Sequence, residues 1–163
     1  MVAAWLHWTG HADEVWLLPS FAHPFGRELA PFGRRLVLCQ ALGRAVGPWV
    51  RVVPIESELP TPSYTLHVLD ALAQRHPEHR FRLVVGADVV EQTSKWHRWD
   101  LIESRYSPIA VGRQGYPTPP GAVDFPAVSS TDVRRRIAAG DDISALVPHA
   151  VRSELGTLYQ EEG

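Results

Sequence analysis

A single cysteine among 163 residues excludes an intrachain disulfide, and with it any zinc site built on cysteine spacing. Cys39 sits in an apolar run of helical spacing, which fits a reducing cytoplasm. Charge imbalance is also lacking. Sixteen Lys and Arg against 18 Asp and Glu leave a formal −2, so no global basic field marks a nucleic-acid partner or an anionic membrane surface. No apolar stretch reaches membrane-spanning length. The opening residues, Met1-Val2-Ala3-Ala4-Trp5-Leu6, carry no basic segment and meet His7 and His11 before any long apolar run, unlike a secretory leader. Repeats, linkers and low-complexity tracts are missing too. What is there, 45% hydrophobic and 21% charged residues, is the composition of a globular chain able to bury one core. One domain over residues 1–163 is the expectation.

Strand patterns alternate with helical ones along the chain. Residues 2–9 read as the latter part of an amphipathic helix with Trp5, Leu6 and Trp8 apolar and Gly10 ending it. A buried strand over 13–19 stops at a proline, and 20–31 is a loop carrying His23 and Arg27. Phe32 to Val46 has helical spacing, Val50 to Ile55 is a strand, and 56–62 a loop. Ser63 is placed to cap a helix over 64–76; Phe81 to Gly86 is apolar enough for a central strand. A turn at Ala87 and Asp88, two helical pieces, a strand over 108–111 and a Pro/Gly-rich loop over 112–125 follow. A short strand from Phe125 to Val128 then leads into a helix ending at Gly140 and, after Leu146-Val147-Pro148, a last helix to about Tyr159. This alternation implies βαβ crossovers and a mostly parallel, Rossmann-like α/β sheet with helices on both faces. In such a sheet ligands bind beyond the carboxyl ends of the strands.

The stretch Val128-Ser129-Ser130-Thr131-Asp132-Val133-Arg134-Arg135-Arg136 stands out among the post-strand segments. Ser130 is a good N-cap, Asp132 suits the first turn, and Val133 with Ile137 forms an apolar face. Three arginines near the positive end of a helix dipole conflict with it unless an anion lies between them and the free N–H groups. A phosphate resolves the conflict; a capped surface helix with solvated arginines is the plainer alternative.

Three other segments fall at the same sheet edge. Gly86-Ala87-Asp88 allows close backbone approach and offers a carboxylate to sugar hydroxyls, or is a plain turn. Trp96 and Trp99, three apart, either stack on a flat ring or pack into the core. Pro62-Ser63-Tyr64-Thr65 is a proline-set loop before a helix, and His23 and Arg27 are loop residues that could contact phosphate or simply be solvated. Cations, a carboxylate and indoles together suit a ligand with phosphate, ribose and a flat heterocycle.

Four motifs match, in order and spacing, the nicotinate-nucleotide adenylyltransferases of NAD biosynthesis, within the nucleotidyltransferase superfamily. Ser129-Ser130-Thr131-x-x-Arg134 resembles the family's phosphate signature, and Gly86-Ala87-Asp88 with Trp96 eight residues on resembles its Gly-x-Asp…Trp pairing. Pro62-Ser63-Tyr64-Thr65 is similar to its substrate loop, and Phe32-x-x-Arg35 with His23 and Arg27 to the segment after its second strand. Leu146-Val147-Pro148 before a helix ending in Leu158-Tyr159 is a further match. The resemblance implies AMP transfer from ATP to nicotinate mononucleotide in the cytoplasm. Gly86, Asp88, Ser129, Ser130, Thr131 and Arg134 would then serve ATP, with Arg134 the catalytic group. Ser63, Tyr64, Thr65, Trp96, His23 and Arg27 would serve the pyridine nucleotide. Mg²⁺ would accompany ATP, and no resident metal, nucleic acid or membrane partner is implied.

One departure matters. The family opens on Phe-Asn-Pro-x-His-x-Gly-His, whose histidines bind ATP phosphates, and no such segment occurs here; His7-Trp8-Thr9-Gly10-His11 has its histidines four apart rather than three. The alignment sets residues 2–8 within the first helix, so the chain is expected to be N-terminally shortened and to lack the first strand. An upstream start is favoured over a natural degenerate member. Loss of a central strand leaves backbone groups unpaired on two neighbours, to be closed by rearrangement or a second copy, a possible homo-oligomer. Poor nucleotide binding and slow or absent turnover are then expected. The alternatives are a non-catalytic nucleotide-binding module of the same fold, and a related adenylyltransferase with another phosphate acceptor.

Overall fold

Helix α1 (Val2–Trp8) buries Leu6, 2% exposed, and its chain turns away at Gly10, where φ is +72°. Trp8 departs from the expected apolar face: it is 77% exposed, while His7 beside it stacks on Trp49 with centroids 4.3 Å apart. Strand β1 (Val15–Leu17) runs parallel to β2 (Val50–Val52), in the register Val15↔Val50 through Leu17↔Val52. Between them α2 (Phe32–Val46) has the bounds its spacing predicts. Gly43 lets that helix lie close to β2, because a Cβ there would sit 3.1 Å from Cγ2 of Val52.

The expected loop after β2 opens on a 3₁₀ turn, Ile55–Glu58, that buries Ile55. Helix α3 (Thr65–Arg75) then places Leu66, Val68, Leu69 and Leu72 inward. Strand β3 (Val84–Gly86), shorter than the apolar run predicts, passes directly into α4 (Ala87–Val90), so Ala87 and Asp88 are helical rather than a turn. Helix α5 (Trp99–Tyr106) and strand β4 (Ile109–Arg113) follow, the latter reaching two residues past its expected end. Strand β5 (Asp124–Phe125) starts earlier than read and stops at Pro126, which has no N–H to extend the ladder. Helices α6 (Ser130–Ala139) and α7 (His149–Gln160) complete the order.

The computed structural model describes residues 1–22, 29–118 and 120–160. Every strand pair among them is parallel, as expected, but the strands form two separate sheets, β1-β2 and β3-β4-β5, rather than one. The chain divides into two compact units. Of the described residues, one holds Met1–Phe21, 29–54 and those from Val128 on; the other holds Ala22 and Ile55–Ala127. The first has its core at Ala41, Val133, Val147 and Val151, with Leu38, Leu42 and Ile137 packed against it. The core of the second is Leu66, Leu69, Ile102 and Tyr106, backed by Phe81, Leu83, Trp96 and Trp99. Leu72 and Ile102 are fully buried there, each contributing about 1.5–3 kcal/mol of hydrophobic stabilisation. Among the described residues no helix is long and apolar enough to cross a membrane.

Candidate functional site

Helix α6 starts one residue later than a Ser130 cap requires. Ser129 has the extended backbone of an N-cap, φ −118° and ψ 144°, and its Oγ accepts from the Asp132 N–H at 3.1 Å. Ser130 is the first helical residue, and both it and Thr131 are exposed. Since the Asp132 and Val133 amides bond to Ser129, the Ser130 and Thr131 amides are, among the described residues, the donors left open at the helix start. Gly140 closes the helix in the left-handed region at φ 72°, as expected of a C-terminal glycine.

The three arginines part ways here. Asp132 accepts from Arg135 Nη2 at 2.6 Å and from Arg136 Nε at 3.0 Å, and these guanidiniums hold its carboxyl below the usual range. Arg134 is exposed and makes no ion pair among the described residues. Four residues after Ser130, it shares that residue's helix face. The start of α6 thus offers two amides, two hydroxyls and one uncommitted guanidinium, a donor set suited to phosphate oxygens.

In the other unit, Asp88 lies in the first turn of α4 with its carboxylate leaning over Gly86; a Cβ at residue 86 would collide with its Oδ1. The glycine there is a steric requirement of that carboxylate. Arg113, the last residue of β4, donates from Nη1 to Asp88 Oδ2 at 2.6 Å, both side chains being less than one-third exposed. Asp88 keeps Oδ1 to accept from another donor. The apolar pattern of β4 ends at Val111, so Arg113, one glycine further on, is not marked by it; a cation just beyond an apolar strand is the available signal.

Ser63 does not cap α3. It is 7% exposed and its Oγ donates to Glu56 Oε2 at 3.3 Å, while Tyr64 occupies the cap position with no side-chain hydrogen bond. Thr65 is the first residue of the helix. The Tyr64 ring stacks on His97 at 4.6 Å and meets the edge of His67 at 5.7 Å. Trp96, next to His97, packs at 86° on Trp99 with centroids 5.7 Å apart and leans on the core beneath. Packing therefore accounts for part of the indole, which remains half-buried. His67 and His97 were also missed, although His67 lies three residues from Tyr64 on one helix face and His97 adjoins Trp96. His23 and Arg27 lie outside the described residues.

A family model described as Cytidylyltransferase-like matches residues 2–136. A protein of Anaeromyxobacter sp. (strain K) named "Probable nicotinate-nucleotide adenylyltransferase" is 49% identical over 154 residues, covering 93% of this chain and 82% of its own. The chain belongs to the nicotinate-nucleotide adenylyltransferase family. A Myxococcus xanthus (strain DK1622) protein of the same name is 36% identical over 149 residues, covering 91% of this chain and 78% of that one. The structure of Plasmodium falciparum nicotinic acid mononucleotide adenylyltransferase complexed with NaAD matches with a TM-score of 0.74 at 14% identity, over 98% of this chain and 89% of the other. At that identity it speaks for the fold, the Rossmann-like nucleotidyltransferase architecture of parallel strands and flanking helices.

Proposed function

We propose that the chain transfers the adenylyl group of ATP to nicotinate mononucleotide, forming deamido-NAD and pyrophosphate. A phosphate oxygen of the mononucleotide attacks the α-phosphorus; that P–O bond forms as the bond to the oxygen bridging the α- and β-phosphorus breaks, and pyrophosphate leaves. Such a transfer rests on positioning and charge neutralisation rather than covalent help from the protein. ATP enters as its magnesium complex, the ion held mainly by phosphate and water. Ser129 fixes the helix start, and the amides and hydroxyls of Ser130 and Thr131, with Arg134, hold the ATP phosphates. Gly86 and Asp88 receive the adenosine. Ser63, Tyr64, Thr65 and Trp96 serve the pyridine nucleotide, with His23 and Arg27 as phosphate contacts.

The observation that carries this reading is the division of labour among the α6 arginines, two neutralised by Asp132 and one left for an anion. The test is pyrophosphate release from ATP with nicotinate mononucleotide, set against nicotinamide mononucleotide. Arg134→Ala removes charge-assisted hydrogen bonds worth about 1.5–3 kcal/mol, so the KM for ATP rises about tenfold to a hundredfold. An unchanged KM discards the phosphate role.

A further inference from the structure

We propose that the turn His76-Pro77-Glu78-His79 is a binding site for a divalent transition metal, with Zn²⁺ as its chemical type. The turn follows α3 and leads toward β3, at the opposite end of that strand from Gly86 and Asp88, so it is separate from the nucleotide residues of the same unit. Its three donor atoms, one from each of His76, Glu78 and His79, lie within 4.8 Å of one another. Nδ1 of His79 is 2.8 Å from Glu78 Oε1, and Nδ1 of His76 is 3.7 Å from the same oxygen. Ligands at about 2.0–2.2 Å from one zinc ion in a tetrahedron stand a little over 3 Å apart. The two distances to Glu78 bracket that value, and the imidazole donors, within 4.8 Å of each other, close by at most about 1.5 Å to share one ion.

The scaffold holds the donors in place before any ion arrives. The His79 N–H donates to the His76 carbonyl at 3.0 Å, closing the turn, and Pro77 fixes a backbone angle inside it. The His76 N–H donates to the Leu72 carbonyl at 2.9 Å, anchoring the turn to the end of α3. The His79 ring stacks on Phe81 at 5.8 Å, inclined by 21°, which limits its rotation, and its Nδ1 is closed to solvent. Of the neighbouring cations, Arg75 donates to Glu58 and Arg82 to the Ser107 carbonyl, which commits both side chains elsewhere, and Arg80, next to His79, is exposed to solvent.

Two imidazoles and one carboxylate form a borderline-soft set that favours Zn²⁺, Co²⁺ or Ni²⁺ over Mg²⁺ or Ca²⁺, which take oxygen ligands. Each imidazole ligates through its neutral Nδ1 lone pair and keeps its proton on Nε2. Glu78, with 62% of its side chain exposed, leaves the fourth position open to water. The ion would pin the turn that carries the chain from α3 to β3.

The test uses the full chain, purified without a histidine tag and stripped with EDTA. Titration with Co²⁺ is expected to saturate at one ion per chain with visible d–d absorption that Zn²⁺ abolishes. His76→Gln and His79→Gln each lower the affinity at least about tenfold, since losing a ligand costs no less than losing an outer partner, worth about 10–100-fold. His11→Gln, in the other unit, leaves it unchanged. If a variant fails to fold, ¹⁵N-correlated histidine spectra of the unaltered chain decide the matter: Zn²⁺ must shift the Nδ1 resonances of His76 and His79. Absence of saturable binding, survival of binding in the double variant, or shifts at other histidines overturns the proposal.

Discussion

Asp132 and Arg113 carry the local electrostatics on which the nucleotide reading depends, and neither acts through a substrate. Asp132 sits in the first turn of α6, favoured by the helix dipole, and draws Arg135 and Arg136 to itself. Arg113 clamps one oxygen of Asp88 and leaves the other over Gly86. Removing Arg113 would strand a carboxylate that is mostly shielded from water, so Arg113→Ala should destabilise the chain by about 1–3 kcal/mol. A double-mutant cycle with Asp88→Asn, followed by urea unfolding, should return a coupling of about 1 kcal/mol; additivity within about 0.5 kcal/mol would show no interaction. The segments Ser129 to Arg134 and Gly86 to Asp88 stand out in the sequence because their polar groups lie in nearly consecutive residues. Arg113 is brought to Asp88 by strand pairing across 25 residues, Gly86 opposite Val111, which no local pattern records.

At the scale of elements, α3 and α5 are tied by a polar contact under their shared apolar surface. The Tyr106 hydroxyl donates to Asp70 Oδ1 at 2.6 Å, and Arg105 reaches the same oxygen at 3.4 Å. Burial, then the hydrogen bond and charge of Asp70, push the Tyr106 hydroxyl up to about 12. A raised value in the folded state means stability fully present below the unfolded value near 10 and lost as pH rises through about 12. Tyr106→Phe should therefore cost about 1 kcal/mol at neutral pH and flatten the alkaline limb of a plot of thermal midpoint against pH between about 9 and 12. An alkaline limb identical to that of the unaltered chain refutes the assignment. Helix α2 was legible to the residue because fifteen positions repeat one spacing. Boundaries were less so where several residues could serve one role. Three consecutive hydroxyls could each cap α6, and backbone geometry selects Ser129. Ser63 looked like a cap, but the chain turns it inward to Glu56 and starts α3 two residues later.

On the scale of the whole chain, alternation of strand and helix patterns predicts parallel pairing, and all three strand pairs are parallel. Continuity of the sheet was not legible, because pairing order depends on which strands meet in space, and the described strands separate into a pair and a triplet. The two sheets should differ in stability for that reason. Strands β1 and β2 share three residues of ladder and, among the described residues, no third strand, and a two-stranded sheet is marginal without cover. Strand β4 is flanked on both edges, by β3 and β5, with its Ile109 and Val111 buried, as is Val85 of β3. Native-state hydrogen exchange should thus find amides of residues 15–17 and 50–53 opening at lower free energy than those of 85 and 109–112. Cover from α2 at Gly43 works against this difference but protects one face of β2, not the outer edge of the pair. Equal protection in the two sheets would mean that β1 is paired in solution by a strand outside the described residues or from a second copy. Concentration dependence then separates the two: protection from a second copy falls on dilution, and protection from within one chain does not.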